Sequence, residues 1–324
     1  MRAVVCKTFG SPEELVVEEL PSLSASSGQA VVRVRACGVN FPDTLIIAGK
    51  YQFRPEPPFS PGGEVAGEVA SVGEGVTNVK VGDRVIALMP WGGYAEEVVT
   101  DAARLVPIPD GVDFVQAAAT LTTYGTTYYA LADRAAMQKG ERLLVLGAAG
   151  GVGLAAVQLG KLMGARVIAA ASSPDKLEIC RANGADDLID YAADDLKERV
   201  KAVTGGAGAD VVYDPVGGKY SEAALRATAW NGRLLVVGFA AGEIPKIPLN
   251  LTLLKGAAIL GVFWGQFTMR EPARALAQFQ QLLAWVAEGK LSPHIHATPP
   301  LAEAPAALRT LLDRKVQGKI VLVV

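Results

Sequence analysis

The chain has 324 residues, half of them hydrophobic and a fifth charged, with a formal net charge of −2. That length exceeds what one typical core holds and points to two domains. The near-neutral balance, with no basic run, argues against a nucleic-acid partner. Three widely spaced cysteines, Cys6, Cys37 and Cys180, do not make a disulfide framework and fit a reducing compartment. The N-terminal stretch MRAVVCKTFGSPEELVVEEL has no long apolar run and soon turns acidic, so no signal peptide is expected and a cytoplasmic protein is.

Residues 1–110 read as β-rich. AVVRVRACGV, EVAGEVASVG, DRVIAL and YAEEVVT are short Val-rich runs punctuated by Gly, Pro and Asp, the pattern of a barrel-like β domain. The prolines of PEPPFSPGG, residues 55–63, make that stretch an extended loop. From residue 113, DFVQAAATLTTYGTTYYALADRA reads as a helix, a break and a second helix. Strands and helices then alternate. Strands are expected at 143–146, 166–171, 187–190, 210–214, 233–238 and 258–262, with helices at 152–163, 174–183, 194–204 and 221–229 between them. Six strands with crossover helices make a doubly wound parallel sheet, an α/β fold. Helices at 273–288 and 302–313 and a final strand, KIVLVV, follow, and this tail is expected to return to the first domain. The uncharged run from Leu143 to Gly160 has the length of a membrane span, but its glycines divide it into strand, loop and helix, so no membrane association is expected.

The strand LLVLG opens into AAGGVGLAAVQLGKL. Gly147, Gly150, Gly151 and Gly153, with Ala149 and Val152 between them, form an Ala-rich relative of the dinucleotide-binding glycine motif. Glycines serve a tight turn, close approach of backbone to a pyrophosphate, and close packing of helix on strand. The helix N-terminus then offers free N–H groups to the phosphates. After the second strand, where NAD sites usually carry an acid on the ribose, VIAAASSPDK places Ser172 and Ser173, followed by Lys176. Hydroxyls and an ammonium suit a 2′-phosphate, so NADPH is the expected cofactor. Asp175 is read as a charge in the first turn of the next helix.

Taken together, ACGVNFPDTLIIAGKY, FSPGGEVAGEVASVG, VGDRVIAL, the glycine motif, GADVVYDPVGG, GRLLVVGFAAG, ILGVFWG and the final GKIVLVV resemble the zinc-independent quinone oxidoreductase branch of the medium-chain dehydrogenase/reductase superfamily, over essentially the whole chain. The resemblance implies a GroES-like β-barrel catalytic domain from residues 1–120 and 264–324, a Rossmann domain from residues 121–263, and an active site in the cleft. It also implies cofactor contacts from Thr126, Tyr191, Phe239, Phe263, Trp264, Gly265 and Lys319. A homodimer through the sixth Rossmann strand is implied as well, and it would cover an apolar edge.

The same resemblance answers what ACGVNFPD is. Zinc-dependent members of the superfamily place metal ligands where this chain has Asn40, Gly63 and Thr122, none of which is a good zinc donor. No metal is therefore expected. His294 and His296 lie on one face of a short strand but lack a third ligand. Without a metal to polarise oxygen, conjugated acceptors such as quinones or enones suit hydride transfer better than simple ketones. Asn40 and Tyr51 are the candidate donors to the charge that develops on such an acceptor. Tyr51 reads equally as a proton donor or as a packed aromatic lid. Cys37 reads as a small buried residue and Asp43 as a turn carboxylate. Two alternatives stay open: an enoyl thioester reductase, with Lys50, Arg54 and Arg270 as a thin basic track, and a non-catalytic NADPH-binding structural or RNA-binding protein.

Overall fold

The computed structural model describes residues 1–324, which divide into two compact units. The first comprises Met1–Thr122 with Phe279–Val324, and the second comprises Thr123–Gln278.

A seven-stranded sheet dominates the first unit. Its strands run in the order Ile295–Ala297, Lys319–Val323, Gln29–Gly38, Glu64–Val72, Arg84–Leu88 and Val106–Pro107, with Glu97–Asp101 also pairing onto Gln29–Gly38. The expected return of the tail is seen here: Lys319–Val323 lies antiparallel to Gln29–Gly38, with Val321 opposite Gly38 and Val323 opposite Ala36. Valines at alternate positions of Gln29–Gly38 enter the core while Arg33 and Arg35 stay exposed, the period-2 pattern of a sheet with one buried face. That core joins Val32, Val34, Cys37, Val65, Val85, Tyr94 and Leu322 to Ile46 and Ile47.

Those two isoleucines lie on a helix, Phe41–Ile47, in a stretch read from sequence as a turn. Its start carries the N3 half of a capping box: the backbone N–H of Asn40 donates to the Asp43 carboxylate at 2.8 Å, while Asp43 N–H donates to the backbone carbonyl of Asn40 at 3.0 Å. Pro42 in the first turn costs no hydrogen bond there.

In the second unit six parallel strands run in the order Asp187–Asp190, Arg166–Ala171, Arg142–Leu146, Ala209–Asp214, Thr228–Val236 and Ala258–Gly261. Leu143–Leu146 and Val167–Ala171 are buried without interruption, as strands covered on both faces must be. The order reverses between Arg142–Leu146 and Ala209–Asp214, which is where a doubly wound sheet opens its ligand crevice. No helix is long and apolar enough to cross a membrane.

Other elements also differ from expectation. The helix read at 221–229 ends at Arg226, because Thr228 already joins the sheet opposite Ala209 and its hydroxyl donates back to Leu225 O at 2.7 Å. The resulting strand runs on through Asn231, at φ 58°, and Gly232. A further helix, Asn250–Lys255, lies where none was read. The second compact unit runs past the boundary expected at 263/264 as far as Gln278, taking in Trp264–Arg270 and the start of Pro272–Ala287. There Phe267 stacks on Tyr129 with centroids 4.3 Å apart, Arg274 pairs with Asp133 at 2.6 Å, and Gln278 Nε2 donates to Asp133 at 2.8 Å.

Candidate active site

The glycine motif sits at the end of the strand Arg142–Leu146 and opens the helix Gly151–Leu162, as its phosphate-binding reading requires. Gly147 has φ 57°, a left-handed turn that favours glycine, and Gly150 is the N-cap. A Cβ on Gly153 would stand 2.3 Å from Gly147 O and 2.7 Å from Ala148 C. Only glycine lets the helix come this close to the turn. The loop Gly147–Gly153, four glycines among Ala148, Ala149 and Val152, therefore offers a ligand mainly backbone.

At the end of the next strand, Lys176 Nζ donates to Ser172 Oγ at 3.3 Å, and Ser173 is the N-cap of Pro174–Ala182. Tyr191 follows Asp187–Asp190, anchored by its N–H on Ala171 O at 3.1 Å, and its ring lies 4.5 Å from that of Tyr220. Ser172, Lys176 and Tyr191 thus gather at the carboxyl end of neighbouring strands, while Asp175 is exposed. Thr126 is half-buried beside Thr127, whose hydroxyl contacts Val152 O at 3.3 Å and Tyr213 OH at 2.9 Å. Phe239 and Phe263 are partly exposed, and Trp264 packs so closely on Gly125 that a Cβ there would lie 2.9 Å from the indole. Neither Gly125 nor Asp214 was singled out from sequence. Asp214 ends its strand by accepting from Val216 N, Gly217 N and Ser221 Oγ, which shapes the DPVGG turn.

In the first unit the candidates form a buried polar cluster. Glu64 is fully buried. Its Oε1 accepts Thr122 N–H at 2.9 Å and its Oε2 accepts Asn40 Nδ2 at 3.2 Å. Asn40 Nδ2 also donates to Gly38 O at 3.2 Å. Lys319 was expected at the cofactor. Its ammonium lies inside this cluster, donating to Asn40 Oδ1 at 2.6 Å and Val39 O at 2.8 Å, and standing 4.0 Å from Glu64. An ammonium only donates, so the Asn40 oxygen must face it and the amide N–H groups must face Glu64 and Gly38. Asp43 completes the cluster, accepting from Tyr94 OH at 2.9 Å.

Burial pushes Asp43 up to about 6, against the opposing bonds from Asn40 and Tyr94 and the nearby Lys319. Burial lowers Lys319, against the pull of Glu64 and Asp43. Cys37 is raised well above a free thiol by burial and by both carboxylates. Tyr51 is raised by burial and then by Asp43, so its phenol stays protonated at neutral pH. Its ring leans on the domain core and lies 6.0 Å from that of Phe53. Glu64, Tyr94 and the inward turn of Lys319 were not read from the sequence; the one local signal was Glu64 following two glycines.

The three places that the resemblance equates with zinc ligands offer poor donors. Asn40 and Thr122 are joined through one carboxylate, Gly63 has no donor, and an ammonium already stands beside Glu64. No group of three His, Cys, Asp or Glu is placed to hold a metal ion.

Residues 26–110 match the alcohol dehydrogenase GroES-like domain, and residues 151–288 match the family described as zinc-binding dehydrogenase. The chain is 42% identical to the quinone oxidoreductase-like protein 2 homolog of Nematostella vectensis, over 99% of this chain and 88% of that one. It belongs to the quinone oxidoreductase family of the medium-chain dehydrogenase/reductases. A quinone oxidoreductase of Pseudomonas aeruginosa is 37% identical over 97% of each chain. The Escherichia coli quinone oxidoreductase, solved in complex with NADPH, superposes with a TM-score of 0.93 at 30% identity, covering all of both chains. The GroES-like and Rossmann architecture inferred from the sequence is that of this family, and the chain is an oxidoreductase of it.

Proposed function

We propose that this protein is an NADPH-dependent reductase that delivers hydride to a quinone or a related activated alkene without a metal. The observation that carries this reading is Glu64, which ties Asn40 to Thr122 beside an ammonium at the places where zinc enzymes of the superfamily hold their metal. The glycine cradle meanwhile remains complete.

The residues present fit NADPH. The Gly147–Gly153 backbone suits the pyrophosphate, and Ser172, Ser173 and Lys176 suit the 2′-phosphate, with Tyr191 beside them. Thr126, Phe239, Phe263, Trp264 and Gly265 serve the nicotinamide side. When bound, the cofactor supplies a hydride equivalent, and the protein must stabilise the charge that grows on the acceptor oxygen. Tyr51 is the donor we assign to that oxygen, because its phenol stays protonated at neutral pH. Asn40 contributes by orientation, since both amide protons and its oxygen are engaged inside the protein.

We infer a homodimer built on the edge strand Ala258–Gly261. Ile259 on that strand is exposed, and Trp230, Leu249 and Leu253 nearby in sequence or sheet order are 72–80% exposed. An apolar open edge of this kind is a liability in an isolated chain.

The test is NADPH oxidation with an ortho-quinone and with crotonyl-CoA in parallel. Turnover of the quinone alone supports the proposal. Turnover of the thioester alone moves the protein to enoyl reduction, and tight NADPH binding with neither turnover points to a binding role.

A further inference from the structure

The ammonium of Lys319 is an unusual thing to bury. It lies in the middle of the catalytic unit, at the first residue of the last strand, with a residue exposure of 5%. Two backbone features bring it there. The final strand pairs with Gln29–Gly38, and Val39 N–H donates to Ile320 O at 2.9 Å, so the two chain segments run side by side up to the Asn40 turn. The ammonium's hydrogen-bond acceptors, Val39 O and Asn40 Oδ1, belong to that turn, and its ion-pair partner is Glu64. A buried charge needs a counter-charge and hydrogen bonds, and here Glu64 stands 4.0 Å away while Val39 O and Asn40 Oδ1 accept from the ammonium.

We propose that Lys319 is a positioning residue for hydride transfer: with Glu64 it locks the Asn40 side chain in one orientation and so sets the turn and helix that lead to Tyr51. The inference rests on the assignment of Tyr51 as the donor to the acceptor oxygen.

The geometry runs in one direction. Lys319 faces the Asn40 oxygen, which turns the amide protons to Glu64 and Gly38. That arrangement holds residue 40 in the extended conformation of an N-cap, φ −124° and ψ 151°. The helix Phe41–Ile47 starts from that cap and is fastened again by Asp43 on Tyr94. Its C-terminal turn is closed by Gly49 N–H on Ile46 O and Lys50 N–H on Leu45 O, one residue before Tyr51. The Asn40 cap sets how the chain enters this helix, and Tyr51 lies just past its far end. An uncharged side chain at 319 leaves Asn40 free to turn, and a donor misplaced by a fraction of an ångström loses much of its effect on the rate.

The experiment compares K319M, K319R, the double variant E64Q/K319M and Y51F, each with bound NADPH followed by fluorescence and thermal stability measured beside kcat. The expected result is a kcat at least about ten-fold lower in K319M. NADPH affinity should be unchanged, because the glycine cradle and Ser172–Lys176 lie in the other compact unit. K319R should recover part of the loss. E64Q/K319M removes both charges together, so its stability should return towards wild type while its kcat stays low. That split separates positioning from charge balance. If the folded double variant turns over at the wild-type rate, Lys319 is only a charge partner and the inference is overturned. Y51F tests the underlying assignment separately: an undiminished rate there removes Tyr51 as the donor, whatever position 319 does.

Discussion

Asp43 offers the sharpest thermodynamic test of the buried cluster. Its carboxyl is buried, and its pKa stands at about 6 instead of 3.8. A raised pKa means that the folded protein binds this proton more tightly than the unfolded chain does. The contribution to stability is therefore complete below about pH 4 and is lost as the pH climbs through 6. At about 1.4 kcal/mol for each unit, the loss amounts to about 3 kcal/mol by neutral pH. The substitution Asp43→Asn keeps an oxygen to accept from Asn40 N–H and Tyr94 OH, and it does not ionise. Urea unfolding of wild type and variant at a series of pH values isolates this group, because every other titration is common to both. The variant should gain on wild type by about 3 kcal/mol between about pH 4 and about pH 7. A difference that stays constant across that range, or that moves in favour of the wild type, would refute the burial argument.

Other outcomes follow from the same geometry. Lys176→Ala should weaken NADPH binding by about ten-fold and leave NADH nearly unaffected, since only the 2′-phosphate loses a charged partner; titrated fluorescence of each cofactor checks this. Gly153→Ala puts a methyl 2.3 Å from Gly147 O and should weaken both cofactors alike, with a loss of about 1–3 kcal/mol in stability, read from binding isotherms and thermal melts. Ile259→Lys, on the open sheet edge, should shift the protein to monomer in light scattering while leaving its circular dichroism unchanged.

The parallel sheet was readable because its information is local. Apolar runs such as Leu143–Leu146 alternate with amphipathic helices, and each βα unit carries its own glycine punctuation. The glycine loop was readable for the same reason, since strand, Gly147–Gly153 and helix are contiguous. The buried cluster was not. Lys319 and Asn40 touch across 279 residues, and neither residue type announces the other. A lysine in GKIVLVV has an exposed or ligand-facing place as its ordinary expectation, and only the pairing of the final strand with Gln29–Gly38 turns it inward. The helix Phe41–Ile47 escaped because it is seven residues long and begins with Phe-Pro, so its cap is more visible in coordinates than in composition. The boundary after Gln278 depends on Tyr129 stacking on Phe267, a contact between segments that sequence reading had placed in different domains.

On the proposed function, the ammonium of Lys319 and the carboxylate of Glu64, and not a metal, stand beside Asn40 while hydride transfer proceeds. The most direct measurement is NADPH-dependent quinone reduction by protein dialysed against a strong chelator, with its metal content determined on the same sample. An undiminished kcat, at a metal content far below one ion per chain, is the predicted result. Loss of activity on chelation, restored by adding zinc, would contradict it.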